Sequence, residues 1–89
     1  MNQSSQDRIS LLIKAPISEK TAEITLPDAI RLREALPCIA SLVAKRFEGE
    51  IVLSDNPQLF VAQTGEPLQS PNATLRQLGI RDGDVLYLV

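Results

Sequence analysis

The feature that most constrains this chain is a change in the spacing of its apolar residues. From residue 8 to 14, apolar residues alternate with others, so that Ile9, Leu11 and Ile13 share one side. A second alternating run covers residues 21–26 after a turn around Pro16. Alternation of this kind predicts half-buried strands, and two such runs joined by a short turn predict an antiparallel hairpin.

After Pro27 the apolar spacing becomes three and four residues, which is typical of a helix that buries one stripe. The stripe consists of Leu32, Leu36, Ile39, Val43 and Phe47. We expect the helix to begin near Arg33, because Pro37 would then lie in the first turn, where its missing N–H costs little. The helix should end near Phe47, with Gly49 as a stop signal. Cys38 falls off the stripe, which predicts an exposed thiol without function.

The remaining sequence predicts several short elements separated by turn residues. Residues 51–53 fit either a short strand or an apolar loop. In chain order, the others are a strand at 59–63, a very short strand anchored by Leu68, a one-turn helix capped by Thr74 and ended by Gly79, a turn at Asp82-Gly83, and a strand at 85–89. One long helix among hairpins must lay its apolar stripe on one face of a sheet. The predicted class is α+β, a mixed sheet packed on one main helix, in which the first and last strands pair in parallel.

Charge and composition exclude several classes of function. The net charge is −2 and the longest basic run is Lys45-Arg46, so nucleic acid is not an expected partner. The chain has no histidine, no Gly-rich phosphate loop and no metal-ligand cluster, so we expect no catalytic residue, no metal and no cofactor. The lone Cys38 favours a reducing, cytoplasmic setting.

The 89 residues predict one folded domain over residues 8–89, preceded by a disordered tail at residues 1–7. The tail is polar and lacks the apolar centre of a signal peptide. No apolar run approaches the ~20 residues that a membrane helix needs. We therefore expect no direct insertion of this chain into a membrane.

The closing segment resembles that of ubiquitin over residues 58–89. The matching positions are Leu59-Phe60-Val61-Ala62, Leu68, Thr74-Leu75, Ile80 and Val85-Leu86-Tyr87-Leu88-Val89. A closer resemblance, over roughly residues 8–89, is to the ubiquitin-like proteins of bacterial type VII (ESX-like) secretion systems, of the YukD type and the EccD N-terminal domain type. Its motifs are Leu26-Pro27-Asp28-Ala29-Ile30-Arg31-Leu32-Arg33-Glu34-Ala35-Leu36-Pro37 and Gly79-Ile80-Arg81-Asp82-Gly83-Asp84 with the strand that follows.

The resemblance implies a ubiquitin-like β-grasp fold and a role in binding protein. Phe60, Tyr87 and Val89 match the strand positions that form the recognition patch of ubiquitin, and alternation turns all three away from the helix. They are the predicted protein-binding residues, with components of the secretion system as the expected partners. The chain would act in the cytoplasm, free-standing or as the cytosolic domain of a membrane protein.

Two other functions are compatible with these residues. The first is a protein modifier or sulfur carrier, which would need a Gly-Gly tail that this chain does not include after Val89. The type VII ubiquitin-like proteins that the chain resembles also lack that tail, so a non-conjugating role is the expected one. The second is an adaptor domain of an unrelated enzyme.

Overall fold

A computed structural model describes residues 8–15, 19–50, 53 and 55–89 of the chain. The predicted tail at residues 1–7 and two of the three residues at 51–53 lie outside these ranges. The elements are β1 (Arg8–Ala15), β2 (Lys20–Pro27), α1 (Leu32–Arg46), β3 (Leu59–Val61) and β4 (Val85–Leu88).

The first two strands form the predicted antiparallel hairpin. Their register pairs Ile9 with Leu26, Leu11 with Ile24 and Ile13 with Ala22. All of these side chains are buried, because residues directly opposite each other in a sheet point to the same face. The alternation in the sequence therefore identified the inward face of both strands correctly.

The described strands form one mixed sheet of four, in the order β2-β1-β4-β3. β1 and β4 are parallel and central, with Leu12 beside Val85 and Lys14 beside Tyr87. β3 is antiparallel to β4. The crossover that separates β1 from β4 makes their parallel pairing possible, as the sequence predicted.

The core lies between the inward face of the sheet and α1. Its buried members from the strands are Ile9, Leu11, Ile13, Ala22, Ile24, Leu26, Leu59, Leu86 and Leu88. Those from α1 and the loops are Leu32, Ala35, Ile39, Val43, Phe47, Leu75 and Ile80. At roughly 25 cal/mol per Å² of apolar area removed from water, this continuous cluster is the main source of stability in a domain of this size.

The start of α1 differs from the prediction in two respects. The helix begins at Leu32, which places Pro37 beyond the first turn, where it has no N–H to donate to the carbonyl of Arg33. Ala35 is fully buried and Leu36 only partly so, which rotates the inward stripe slightly from the predicted one.

The N-terminus of α1 is capped by a neighbouring loop instead of its own side chain. Arg31 makes no side-chain cap. The N–H of Leu32 donates to the carbonyl of Ala73 at 2.9 Å, and that of Arg33 to the carbonyl of Pro71 at 3.0 Å. These bonds satisfy two of the donors that a helix start leaves unpaired, and they attach the 71–73 loop to the helix.

The predicted one-turn helix is a hydrogen-bonded turn over residues 75–79. Thr74 and Gln77 cap it reciprocally: the Gln77 N–H donates to Thr74 Oγ1 at 3.1 Å, and the Thr74 N–H to Gln77 Oε1 at 2.9 Å. Gly79 ends it at a φ of 80°, a conformation that favours glycine.

Two smaller expectations were wrong. Leu68 does not anchor a strand: a single bridge pairs Pro67 with Phe60, and the Leu68 N–H donates to the carbonyl of Leu59 at 2.9 Å. Pro67 has no N–H with which to extend the ladder. Cys38 is not exposed but half-buried, and it packs against the edge of the core.

Candidate protein-binding surface

Phe60 and Tyr87 lie directly opposite each other on β3 and β4. Their flanking residues Leu59 and Leu88 are nearly fully buried against the helix side of the sheet. The two aromatic side chains therefore stand together on the other face, as the alternation in the sequence predicted. Aromatic side chains bring a large apolar area to such positions.

Val89 extends this pair along the sheet. Its backbone exchanges two hydrogen bonds with Gln58, both 2.9 Å, so the β3–β4 ladder continues past the end of β4. Val89 follows Tyr87 by two positions and so shares its face. With 53% of its surface exposed, it is the most exposed of the large hydrophobic residues described.

Phe60 and Tyr87 are half-buried, whereas the alternation predicted that both would face open solvent. The difference has a local cause. The chain reverses after β3 and returns to bridge Phe60 at Pro67, on the side away from β4. Tyr87 in turn lies between Phe60 and Lys14, one on each neighbouring strand.

Leu12, Val85 and Lys14 belong to the same face, although the sequence reasoning did not include them in the site. Leu12 is paired with Val85 and has 38% of its surface exposed. Lys14 is exposed beside Tyr87. The signal was present in the sequence, because Leu12 falls out of phase with the buried residues of β1. Its connection to the site required the parallel register of β1 and β4, which no local pattern contains.

We call this assembled patch the outer sheet surface, defined as Leu12, Lys14, Phe60, Val85, Tyr87 and Val89. Its members are apolar except for the Tyr87 hydroxyl and the Lys14 ammonium group, and Lys14 lies on its β1 side. Mainly apolar patches with few charged groups are typical of surfaces that bind protein. A shallow depression between Lys14, Tyr87 and the residues that follow β3 adjoins it.

The described residues hold neither a metal-ligand cluster nor a membrane-spanning helix. Within those ranges, no group of three or more His, Cys, Asp or Glu side chains is placed to hold a metal ion. No helix among the described elements is long and apolar enough to cross a membrane.

The architecture defines the class of protein. A mixed four-stranded sheet with parallel central strands and one helix across its inner face is a ubiquitin-like β-grasp fold. The family model described as "WXG100 protein secretion system (Wss), protein YukD" matches residues 8–88. The chain belongs to this YukD family, as its sequence resemblance indicated.

Solved structures agree on the fold. The EccD5 ubiquitin-like domain from Mycobacterium xenopi superposes with a TM-score of 0.77 at 19% identity, over 93% of both chains. The ubiquitin-like domain of EccD1, a type VII secretion system protein of Mycobacterium tuberculosis, gives a TM-score of 0.73 at 15% identity, over 93% of this chain and 98% of that domain.

A third structural match lies within a larger assembly. A chain of an ESX-5 inner membrane complex matches with a TM-score of 0.78 at 18% identity, and the match covers 92% of this chain but 20% of that one. No protein with a curated function matches the sequence.

Proposed function

We propose that this chain is a non-conjugating, protein-binding module of a WXG100 (type VII-like) secretion apparatus. It docks through the outer sheet surface onto a protein component of that apparatus, on the cytoplasmic side of the membrane. Phe60, Tyr87 and Val89 are the principal contacts, and Leu12 enlarges the surface they form.

The observation that carries the proposal is the exposed apolar character of a sheet face that the fold does not need for its core. Leu12 and Val89 retain 38% and 53% of their surface exposed, on either side of the Phe60–Tyr87 pair. Burying these groups against a partner would be favourable, since apolar area removed from water contributes roughly 25 cal/mol per Å². Exposed contiguous apolar patches on soluble domains generally mark interaction sites.

The family and its structural relatives support the choice of a secretion-system component as the partner. The chain belongs to a family named for a protein secretion system, and similar domains are found in EccD proteins and in an inner membrane complex. A docking role fits a mainly apolar surface with Lys14 on its β1 side. In such a surface the apolar area contributes affinity and the charge contributes orientation.

Site-specific photo-crosslinking in cells that make the secretion apparatus tests the proposal. A photoreactive phenylalanine analogue replaces Tyr87 in one strain and Glu34, on the exposed side of α1, in a control strain. Crosslinks from position 87 to an identified component of the apparatus, absent from position 34, are expected. Crosslinks at both positions, or at neither, would contradict docking through the outer sheet surface.

Charge substitution gives a second, quantitative test. Val89→Glu and Leu12→Lys place charges on the surface without touching the core, and the new lysine lies opposite Glu23 of β2, so melting temperatures should stay close to that of the unmodified chain. Loss of a central apolar anchor can cost about 2 kcal/mol or more of binding, which is roughly thirtyfold in affinity. Secretion of WXG100 substrates should fall in both strains. Normal secretion with folded, equally abundant variants would refute the role.

The non-conjugating part of the proposal has its own measurement. Incubation of the full-length protein with ubiquitin-activating-type enzymes from the same cells and ATP should give neither an adenylate nor a thioester on the chain. Mass spectrometry would detect either product, and its appearance would establish the modifier function instead.

A further inference from the structure

β2 is an edge strand whose outer backbone groups face away from the sheet. It pairs only with β1 in the described part of the chain. An edge of this length displays N–H and C=O groups that another strand can pair with. It lies at the opposite side of the sheet from β3, and it meets the outer sheet surface only at β1, where Glu23 pairs with Leu12 and Thr21 with Lys14.

The register identifies which residues of β2 have free backbone groups. In β1, the Leu12 N–H donates to the carbonyl of Asp84 at 2.9 Å, and the Ser10 carbonyl accepts from the Gly83 N–H at 2.7 Å. Even-numbered residues of β1 therefore direct their backbone groups toward β4, and odd-numbered ones toward β2. This alternation follows from strand geometry.

The β2 partners of the odd-numbered β1 residues are consequently bonded within the hairpin. These partners are Lys20, Ala22, Ile24 and Leu26. The residues between them, Thr21, Glu23 and Thr25, direct their N–H and C=O groups outward. No described backbone group pairs with these outward groups.

A groove lies beside this edge, between β2 and α1. It has a volume of about 290 Å³ and is lined by Ala22, Glu23, Ile24, Thr25, Leu42 and Arg46. Leu42 of α1 lines the wall of the groove and is 44% exposed, whereas the neighbouring Val43 is buried in the core. An added strand would direct alternate side chains over this groove.

The groove is apolar around Leu42 and positively charged at its Arg46 end. The Lys20 Nζ–Glu50 Oε1 ion pair, at 2.8 Å, holds the end of α1 beside the start of β2. Arg46 lies in the last turn of α1, whereas Leu42 lies one turn earlier. An apolar side chain is therefore favoured over Ile24 and Leu42, and an acidic one toward Arg46.

We infer that the outward edge of β2 and its groove bind an extended peptide segment of a partner protein by strand addition, with apolar residues over Leu42 and an acidic residue beside Arg46. Main-chain bonds to Thr21, Glu23 and Thr25 supply affinity, and the groove supplies side-chain preference. This site uses the backbone edge of β2 and the groove beside α1, whereas the docking surface proposed above uses the outward side chains of the other strands.

A second copy of this chain fits the same edge less well. The two-fold antiparallel pairing that uses all three free residues places Glu23 directly opposite Glu23 of the other copy. Like charges directly opposed across strands are destabilising. A partner segment with an acidic residue displaced toward Arg46 meets no such repulsion.

The probes are short synthetic peptides with blocked ends, in which valine alternates with threonine and a pair of glutamates stands at one end. Both chain directions are made, together with versions that carry lysines in place of the glutamates. Each is titrated into the isotope-labelled full-length protein. We expect the amide signals of Thr21, Glu23 and Thr25 to shift and their hydrogen exchange to slow.

The charge preference is tested at Arg46. Glutamate peptides should bind about twofold to fivefold more tightly than lysine peptides, the range of an exposed ion pair, and Arg46→Glu should reverse that order. Arg33→Glu makes the same charge change on the same helix, away from the β2 groove, and should leave the order unchanged. A preference that survives Arg46→Glu would refute the assignment of the acidic end.

The backbone contact is tested at the centre of the edge. Glu23→Pro removes an outward N–H but none of the bonds to β1, so the hairpin should persist while peptide binding is lost. Leu42→Glu blocks the groove without altering the strand and should also abolish binding, which covers the case in which the proline variant fails to fold.

Three results would overturn the inference. The first is the absence of any shift at the three outward amides with either peptide direction. The second is retained binding in the folded Leu42→Glu variant. The third is protection of those amides that grows with protein concentration without peptide, since the occupant would then be a second copy. Val89→Glu should leave peptide binding intact, which separates this site from the outer sheet surface.

Discussion

The carboxylate of Asp82 accepts a hydrogen bond from the backbone N–H of Ser10 at 2.7 Å, across 72 positions of sequence. The Gly83 N–H donates to the carbonyl of Ser10 at 2.7 Å. The turn before β4 thus continues the parallel ladder, with a side-chain oxygen in the place of a backbone carbonyl. Sequence reasoning identified Asp82-Gly83 as a turn but not as a clamp on β1.

Asp82→Ala should lower the free energy of unfolding by about 1–2 kcal/mol, because the Ser10 N–H loses a charged acceptor at an exposed site. Asp82→Asn retains an acceptor oxygen and should lose less. Urea denaturation of the two variants makes the comparison. Equal losses would show that the charge, and not the hydrogen bond, matters.

Ile39→Ala should cost about 2–5 kcal/mol, since the Ile39 side chain has no exposed surface and its removal leaves a cavity between α1 and the sheet. Ser41→Ala, on the exposed side of the same helix, should change stability by no more than about 0.5 kcal/mol. Chemical denaturation measures both. A small effect at Ile39 would be incompatible with the observed helix phase.

Thr74→Ala should cost about 0.5–2 kcal/mol, the usual value of a helix-type cap. Gln77→Ala removes the reciprocal bond, so the double variant should lose less than the sum of the two single losses. Strict additivity in thermal or urea unfolding would indicate that the two bonds form independently.

Lys20 governs the ionisation of Glu50. A hydrogen bond and the charge of Lys20, with a smaller contribution from Arg46, lower the pKa of Glu50 from its ordinary 4.5. A pKa lowered in the folded state means that the pair stabilises the fold above the pKa of the unfolded chain. That contribution is lost as the pH falls through the folded value.

Titration of the Glu50 side-chain carbon by NMR should show this lowered pKa. In Lys20→Gln the pKa should rise toward its ordinary value, because both the hydrogen bond to a cation and the charge are removed. Identical titration curves in the two proteins would mean that the Lys20–Glu50 pair does not form in solution.

Periodicity predicted the class, the hairpin and the helix because each depends on which face of an element is apolar. The parallel pairing of the first and last strands was predicted from the order of the elements, because a crossover separates those strands. Periodicity did not predict that Ala35 would be buried more deeply than Leu36. The rotation of a helix depends on how closely it approaches the sheet, which the helix sequence alone does not contain. The helix sequence alone also did not predict that carbonyls of the 71–73 loop would accept from the N–H groups of Leu32 and Arg33.

For the candidate surface, alternation was sufficient to place Phe60, Tyr87 and Val89 on one face. It could not measure their exposure, since Pro67 approaches Phe60 only through a chain reversal. Leu12 was missed for a related reason. Its neighbour on the surface, Val85, is adjacent in space only because of strand pairing between distant parts of the chain.

The central pairing of β1 with β4 has a consequence for biosynthesis. On the ribosome, the β1–β2 hairpin and α1 emerge before Leu86 and Leu88 are synthesised, and without these two residues the middle of the sheet is open. Native closure must therefore wait until translation has passed β4, and it closes a long loop at an entropic cost. Until then the nascent chain exposes the apolar side of β1, so a chaperone that protects this face would raise the yield of folded protein.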